Sequence, residues 1–268
     1  MAGKDPEFVE GLAKGLSVIE AFDSVSSEMT LSEVARRTGL SPAAARRSLH
    51  TLSVLGYIHS VNRRFMLSAK TLTLGASYLR ATRVEELVLP ELRNVVARFG
   101  DAASLTTLDG QNVVYIAHYS EERARRLVAG IGVSYPAYAT SMGKVLLAAL
   151  PDEDRERYLQ DFAPTKLTEH TIVTVKALEA EIKQTRRRGY GTAVDELDFG
   201  ITALAVPVVG AGGTVIAALN TSAYSGRVSL DGMLTDRLEH MRGFSARLSD
   251  IIVRSPPLSL SLGALRYR

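Results

Sequence analysis

The distribution of charge is the feature that most constrains the fold and function of this 268-residue chain. Between Val34 and Val84 there are nine Lys or Arg residues and no Asp or Glu. Residues 1–84 hold 11 basic and 7 acidic residues, whereas residues 85–268 hold 21 and 22. A basic surface confined to one end of a chain is typical of proteins that bind nucleic acid. The sequence therefore predicts an N-terminal DNA-binding domain.

The acid-free stretch also contains the start and stop signals of a helix-turn-helix unit. A capping box that begins at Thr30 predicts a helix over 31–38, and Gly39 is suited to end it. Ser41, at the N-cap position before a proline, predicts a further helix over 42–55. Two helices joined by so short a turn are the helix-turn-helix arrangement.

The second of these helices has an apolar face and an opposite face of small and basic residues, a division that suits the major groove of DNA. Two strand-like segments follow, at 57–61 and 64–67, with a turn at 62–63. They predict a wing whose arginines contact phosphates or a narrow minor groove. The predicted DNA-binding residues are Ser41, Ala43, Arg46, Arg47, His50, Arg63 and Arg64.

The remainder of the chain predicts an α+β domain with an antiparallel sheet flanked by helices. Pro90 predicts a break in one helix, Pro207 an edge or bulge in one strand, and residues from Ser255 onward an irregular tail. Predicted strands are 103–108, 113–119, 127–133, 190–195, 202–209 and 214–221. A helix over 11–24 is predicted to open the N-terminal domain. The other predicted helices are 70–83, 84–99, 140–149, 175–188 and 230–253.

Composition excludes several classes of protein. The chain has no cysteine, so disulfides and Cys-ligated zinc are excluded, and its five His residues lack metal-ligand spacing. No apolar run is long enough for a bilayer span and the N-terminal residues lack a secretion signal, so we expect a cytoplasmic protein that binds no membrane. No nucleophile or phosphate-loop motif is complete, so we predict no catalytic residue, no metal and no cofactor.

Over nearly its full length the chain resembles the IclR family of bacterial transcription regulators. The residues that carry the resemblance are Gly15–Phe22, Leu31–Ala35, Gly39–Ser41, Leu52–Tyr57, Tyr135–Ala148, Gly189–Gly191, Glu196, Gly200, Ala203–Val208 and Asn220–Ser222. The resemblance implies a winged helix-turn-helix domain (9–69), a linker helix (70–84) and a GAF-like effector-binding domain (85–255). It also implies a homodimer or a dimer of dimers on a pseudo-palindromic DNA operator.

Within that family, the sequence around Ser141 and Asn220 is most similar to the branch that controls aromatic-acid catabolism through the β-ketoadipate pathway. Members of this branch respond to protocatechuate, 4-hydroxybenzoate or β-ketoadipate. The start of a helix is a natural site for a carboxylate, because its first N–H groups have no partner within the helix. The effector-binding residues that the resemblance implies are Ser141, Met142, Gly143, Glu196, Ala203, Asn220 and Ser222.

Two alternatives remain open from the sequence. Within the family, the effector is alternatively a short non-aromatic acid such as glyoxylate or pyruvate. Outside it, the alternative is a metabolic enzyme of α+β fold with an incidental basic arm, whose arginine pairs merely solvate helix faces. The coincidence of arginine pairs with helix caps, a turn and a wing favours DNA binding.

Overall fold

The computed structural model describes residues 6–23, 25–121, 129–263, 265 and 267. The chain divides into two compact units, with the boundary between Tyr78 and Leu79. This boundary lies inside a helix, α4 (Leu72–Thr82), which follows a short 3-10 turn at Ala69–Thr71.

The N-terminal unit packs three helices against a small antiparallel sheet in the order β1-β3-β2, and it also includes the start of α4. Val18, Leu49 and Ile58 are almost fully buried at its core, one from each of two helices and one from the sheet. The elements are α1 (Glu10–Glu20), β1 (Met29–Thr30), α2 (Leu31–Thr38), α3 (Pro42–Val54), β2 (Ile58–Val61) and β3 (Arg64–Leu67).

The predicted helix signals of this unit are confirmed. The Thr30 hydroxyl accepts a hydrogen bond from the Glu33 backbone, and the Glu33 carboxylate accepts one from the Thr30 backbone at 2.7 Å. Gly39 ends α2 in the left-handed conformation. The first helix ends at Glu20 rather than at residue 24, because the Asp23 carboxylate accepts two backbone N–H bonds and forms a turn there.

The C-terminal unit is built on one antiparallel sheet of six strands in the order β6-β5-β4-β9-β8-β7. The pairing of β7 with β8 ends at Ala205, which pairs with the first residue of β7. Pro207 lies two residues further along β8, where β7 no longer pairs with it. The predicted edge at this proline is confirmed. The strands are β4 (Ala102–Asp109), β5 (Asn112–Tyr119), β6 (Ser134–Pro136), β7 (Gly191–Val194), β8 (Ile201–Val209) and β9 (Val215–Tyr224).

Helices pack on both faces of this sheet and divide the core in two. Leu204 and Leu219 face the layer that contains α6 and α11, whereas Ala205 and Ala218 face the layer that contains α7 and α9. Small side chains on the second face allow α7 to lie close to the strands. The helices are α5 (Val84–Leu87), α6 (Leu89–Phe99), α7 (Ser141–Ala149), α8 (Asp152–Gln160), α9 (Val175–Arg188), α10 (Leu230–Asp236), α11 (Leu238–Val253) and α12 (Pro256–Leu262).

Four sequence predictions for this unit are wrong or incomplete. The predicted strand 127–133 is absent over 129–133, and its first two residues lie outside the described residues. The segment after Ser255 forms α12 instead of an irregular tail, because Leu258 and Leu262 are one helical turn apart and pack into the core. The buried side chains of Leu265 and Tyr267 extend this unit beyond residue 255. Helix 230–253 divides at Arg237 into α10 and α11.

Candidate nucleic-acid interface and buried cavity

All seven predicted DNA-binding residues have exposed side chains in the structure. Arg46, Arg47 and His50 are exposed on α3, whereas Leu49 of the same helix is buried. Ser41 caps α3, because its hydroxyl accepts a hydrogen bond from the Ala44 backbone N–H at 3.3 Å. Helix α3 therefore presents a short basic face to solvent from an anchored N-terminus.

The arginines of the acid-free stretch are not equivalent. Arg37 is paired with Asp23, and Arg64 lies 3.5 Å from Glu28. Within the described part of the chain, Arg46 and Arg63 form no ion pair or hydrogen bond. Free guanidinium groups attract phosphates without first breaking an internal pair. The cations available to a nucleic acid are thus fewer than the sequence count indicates.

Arg63 occupies the tip of the β2–β3 hairpin. Asn62 and Arg63 both adopt positive φ, at 50° and 64°, as the two central residues of a tight hairpin turn do. Val61 and Arg64 pair directly across the hairpin. This turn places Arg63 beyond the last pair of the ladder, at the exposed tip of the hairpin.

The second unit contains a cavity of about 90 Å³ between the sheet and the start of α7. Six of the seven residues implied as effector-binding line it: Ser141, Met142, Glu196, Ala203, Asn220 and Ser222. Other lining residues come from β4, β5 and the loop after β7, and include Ser104, Tyr115, His118 and Leu197.

Gly143, the seventh implied residue, does not line the cavity. Its backbone N–H donates to the Thr140 hydroxyl at 2.9 Å, so this donor is already used by the helix cap. A side chain at Gly143 would meet the backbone of Ala137, at 2.0 Å from its carbonyl oxygen. Gly143 therefore serves close packing, and the N–H groups without a partner in the helix are those of Ser141 and Met142.

Three buried oxygens at the cavity have no hydrogen-bond partner among the described residues. They are Ser141 Oγ, Glu196 Oε2 and Asn220 Oδ1. A buried polar atom without a partner costs roughly 1–3 kcal/mol, so such atoms are rare unless a ligand or water satisfies them. Their convergence on one cavity makes it the candidate binding site for a polar small molecule.

The sheet supplies the floor of the cavity as a row of polar residues on adjacent strands. Ser104 of β4 pairs with Asn220 of β9 on one side and with His118 of β5 on the other. Ser222, two residues along β9 from Asn220, lies on the same face of the sheet. The polar floor is bordered by Ala203, whose small side chain leaves room for a ligand.

Lys144 connects the cavity to a buried charge network that the sequence did not reveal. Its side chain is only 2% exposed, and its ammonium lies 2.5 Å from Glu196 Oε1 and 3.9 Å from Glu181 Oε1. It also donates to the Thr192 carbonyl oxygen at 2.9 Å. Burial raises the pKa of Glu196 above its ordinary value, although Lys144 opposes this effect. The ion pair engages Oε1 of Glu196, whereas Oε2 has no hydrogen-bond partner among the described residues.

His118 is a second residue of the cavity that the sequence did not identify. Its Nδ1 lies 2.9 Å from Ser104 Oγ, and its ring packs edge-on against Tyr115. Burial lowers the pKa of His118 below its ordinary value, which favours the neutral imidazole.

Within the described residues, no group of three His, Asp or Glu side chains has the arrangement of a metal site. In the same part of the chain, no helix combines the length and apolar character needed to cross a bilayer.

Two family descriptions match the chain. The "IclR helix-turn-helix domain" matches residues 11–61, and "Bacterial transcriptional regulator IclR C-terminal" matches residues 76–249. The chain belongs to the IclR family of bacterial transcriptional regulators, and its N-terminal unit is the family's DNA-binding domain.

The chain is also similar to individual regulators. It is 39% identical over 226 residues to the Pca regulon regulatory protein of Pseudomonas putida, which covers 84% of this chain and 78% of that protein. A putative transcriptional regulator from Rhodococcus sp. RHA1 has a solved structure with 37% identity and a TM-score of 0.75, over 92% of this chain and 99% of that one. The PobR inducer-binding domain from Acinetobacter, a double mutant in complex with 3-hydroxybenzoic acid, has 29% identity and a TM-score of 0.57, over 62% and 97%.

Proposed function

We propose that this regulator binds a small aromatic carboxylic acid in the cavity of its C-terminal unit, and that the acid changes its affinity for operator DNA. One observation carries the proposal: Ser141 Oγ, Glu196 Oε2 and Asn220 Oδ1 are buried without partners around a cavity at a helix start. The Ser141 and Met142 N–H groups bind the carboxylate, and Ser222 and Asn220 complete the polar ring. Glu196 Oε2 accepts from a hydroxyl of the ligand.

The size of the cavity and the relatives support an aromatic acid. A cavity of about 90 Å³ is too small for a ligand much larger than a single ring. A similar regulator bears the name of the Pca regulon, and a similar inducer-binding domain is solved with 3-hydroxybenzoic acid. A short acid such as pyruvate, the alternative, would use the same helix start and contact less of the apolar wall than a ring acid.

Calorimetry on the full-length protein tests the effector. Protocatechuate, 4-hydroxybenzoate, β-ketoadipate and pyruvate are titrated separately, and operator affinity is then measured by fluorescence anisotropy with and without each acid. We expect heat with a ring acid and a shift of operator affinity of about 1–3 kcal/mol, the usual range for allosteric coupling. Heat with β-ketoadipate alone would reject an aromatic effector, binding of pyruvate alone would favour the short-acid alternative, and no heat with any acid would reject the proposal.

The same titrations address catalysis. A regulator returns its ligand unchanged, so chromatography of each acid after prolonged incubation with the protein should recover it in full. The absence of catalytic activity is supported by the relatives, which are transcriptional regulators. Conversion of one acid would favour the enzyme alternative.

For DNA recognition, we propose that α3 enters the major groove and that Arg63 contacts the backbone. Arg63 and Arg64 are a matched pair, because they are adjacent but only Arg64 lies close to acidic groups. Arg63→Ala should weaken binding to all sequences and reduce the slope of log affinity against log salt by about 1. Arg64→Ala should have the smaller effect, and equal slopes for both variants and wild type would contradict the contact.

We further propose that the regulator binds its operator as a homodimer or a dimer of dimers. The N-terminal unit exposes an apolar face lined by Leu12, Leu16, Leu55 and Leu74, each 45% exposed or more. A patch of this kind on a soluble protein favours coverage by another protein surface, and a second copy matches a two-fold operator. Sedimentation of wild type and Leu16→Glu at micromolar concentration tests this: monomeric wild type would contradict the proposal.

A further inference from the structure

The C-terminal end of α3 is held by residues that come later in the chain. The last turn of α3 contains no basic residue, and Val54, its final residue, is 73% exposed. Carbonyl groups at the end of a helix have no partner within the helix and carry its partial negative charge. Core burial and the helix itself therefore do little to fix this end, and contacts from outside the helix decide its position.

Three side chains of residues 68–71 donate hydrogen bonds to three successive carbonyl oxygens, beginning at the C-cap residue of α3. The bonds are Lys70 Nζ to Leu55 at 2.7 Å, Ser68 Oγ to Gly56 at 2.5 Å and Thr71 Oγ1 to Tyr57 at 3.2 Å. Together these three bonds form a clamp on the end of α3. A displacement of this end away from the turn at Ala69–Thr71 breaks at least one of them.

Lys70 is the charged member of the clamp. It is one of the nine basic residues between Val34 and Val84, a stretch whose charge suggests contacts with phosphates. Its ammonium is engaged within the protein, because it donates to the Leu55 carbonyl oxygen and lies 4.9 Å from the centre of the Tyr57 ring. A cation at the C-terminus of a helix also interacts favourably with the helix dipole. The contacts of Lys70 therefore direct its charge to the end of α3.

We infer that Lys70, with Ser68 and Thr71, is a positioning residue that fixes the orientation of α3 for reading the operator sequence, and that it contacts no phosphate itself. This inference rests on the proposed docking of α3 in the major groove. Hydrogen bonds to base edges depend on the direction of the helix, whereas attraction to phosphates depends mainly on the number of nearby cations. Loss of the clamp therefore lowers the preference for the operator more than it lowers the affinity for DNA in general.

The test measures sequence preference and salt dependence separately. The operator probe is a duplex that wild type selects from random-sequence DNA, and the reference duplex has the same bases in shuffled order. Fluorescence anisotropy with the full-length protein gives the ratio of the two dissociation constants. It also gives the slope of log affinity for the shuffled duplex against log salt concentration. Sedimentation and thermal unfolding report the assembly and folding of each variant.

Lys70→Met removes the ammonium and keeps an unbranched apolar side chain beside Tyr57. We expect the operator preference to fall about threefold or more, because one base contact contributes roughly five- to 150-fold of discrimination. The salt slope should stay at the wild-type value, whereas the loss of a phosphate contact lowers it by about 1. Lys70→Arg keeps a cation with N–H donors and should retain most of the preference.

Three further variants are controls. Lys176→Met removes an exposed ammonium from the C-terminal unit, and it should behave as wild type. Arg46→Ala removes a proposed base contact, so it should lower the operator preference while the clamp is intact. Arg63→Ala removes a proposed phosphate contact, so it should lower the salt slope and leave the preference unchanged.

The outcomes distinguish this inference from the proposed docking of α3. If Arg46→Ala lowers the operator preference and Lys70→Met does not, the positioning role is overturned and the docking stands. A salt slope that falls by about 1 in Lys70→Met assigns this residue to a phosphate and overturns the inference at any preference. If Lys70→Met does not fold or changes its assembly, Thr71→Val decides, and a wild-type preference in that variant overturns the inference. If neither Arg46→Ala nor Lys70→Met changes the preference, or wild type selects no sequence, the docking and this inference fail together.

Discussion

The Lys144 ammonium lies 2.5 Å from Oε1 of Glu196, and neither side chain is more than 11% exposed. One residue lies on the first turns of α7 and the other on the loop after β7, so the pair joins two walls of the cavity. A buried charge without its partner destabilises the folded protein. The stability contributed by each of these two residues therefore depends on the presence of the other.

Replacing Lys144 by Met should therefore destabilise the protein by about 3–5 kcal/mol, since Glu196 would be left as an uncompensated buried carboxylate. Adding Glu196→Gln to Lys144→Met should restore much of that stability, because the remaining amide carries no charge. Urea unfolding of wild type, both single variants and the double variant measures the coupling. Additive losses in the double variant would contradict a direct pair.

Acid should destabilise the folded protein through His118. Burial lowers the pKa of His118, so below about pH 6.5 the unfolded chain binds a proton that the folded chain does not. Stability from this residue is thus complete above pH 6.5 and falls as the pH drops toward the lowered pKa. His118→Gln should show a smaller loss of unfolding free energy between pH 7.5 and 5.5 than wild type. Glu196 is present in both proteins, so its raised pKa does not enter the difference.

Local signals explain why the N-terminal unit was predictable. Capping residues such as Thr30 and Ser41 bind backbone N–H groups three residues away, so a few adjacent positions of the sequence are enough to predict the start of each helix. The same is true of Gly39, whose φ of 69° ends α2. The predicted positions of α2 and α3 agree with the structure to within a residue for this reason.

The geometry of β5 illustrates what the sequence does not contain. Strict alternation would place Tyr115 and His118 on opposite faces of the sheet. A bulge between β4 and β5 breaks the register after Leu105, so Ile116 is the extra residue and both aromatic side chains line the cavity. The bulge is determined by the pairing of β5 with β4, and no local residue pattern in β5 predicts it.

Distance along the chain hid the charge network as well. Lys144 and Glu196 are 52 positions apart, and a single Lys in an apolar helix start suggests a ligand contact as readily as an internal pair. The family resemblance implied six of the residues that line the cavity, yet it also implied Gly143, whose N–H is used by Thr140. Which of the adjacent residues at the start of α7 lines the cavity is determined by the packing of the helix, which the sequence does not give.

The unequal pairing of arginines predicts unequal effects on DNA binding. Arg46→Ala should weaken operator binding by about 1–3 kcal/mol if the side chain contacts a base, because its guanidinium is exposed and unpaired among the described residues. Arg37→Ala is the matched control, since Arg37 is already engaged by Asp23 and Ser26. Fluorescence anisotropy with operator and with unrelated DNA measures both, and equal losses for the two variants would argue against docking through α3.

The proposed effector cavity predicts a selective loss of acid binding when one hydroxyl is removed. Ser222→Ala should weaken acid binding by roughly 0.5–1.5 kcal/mol, the net value of one hydrogen bond. Operator affinity without the acid should stay near that of wild type, because the residue lies in the C-terminal unit. Ser134→Ala, an exposed strand residue that does not line the cavity, controls for the loss of a hydroxyl. Calorimetry would contradict the contact if both variants bound the acid equally.

The close approach of Gly143 to Ala137 predicts that a single added methyl group at Gly143 destabilises the protein. A Cβ at Gly143 would lie 2.0 Å from the Ala137 carbonyl oxygen, so the start of α7 must move away from the 3-10 turn before it. Gly143→Ala should destabilise the protein by about 1–3 kcal/mol or more, and weaken acid binding because Ser141 and Met142 move with the helix. Gly243→Ala is the matched control: Gly243 also lies in a helix, its nearest neighbouring atom is 4.0 Å away, and alanine favours helix by up to about 1 kcal/mol. Thermal and urea unfolding should therefore move in opposite directions for the two variants, and a neutral Gly143→Ala would show that α7 tolerates a shift at the point where the cavity meets its N-terminus.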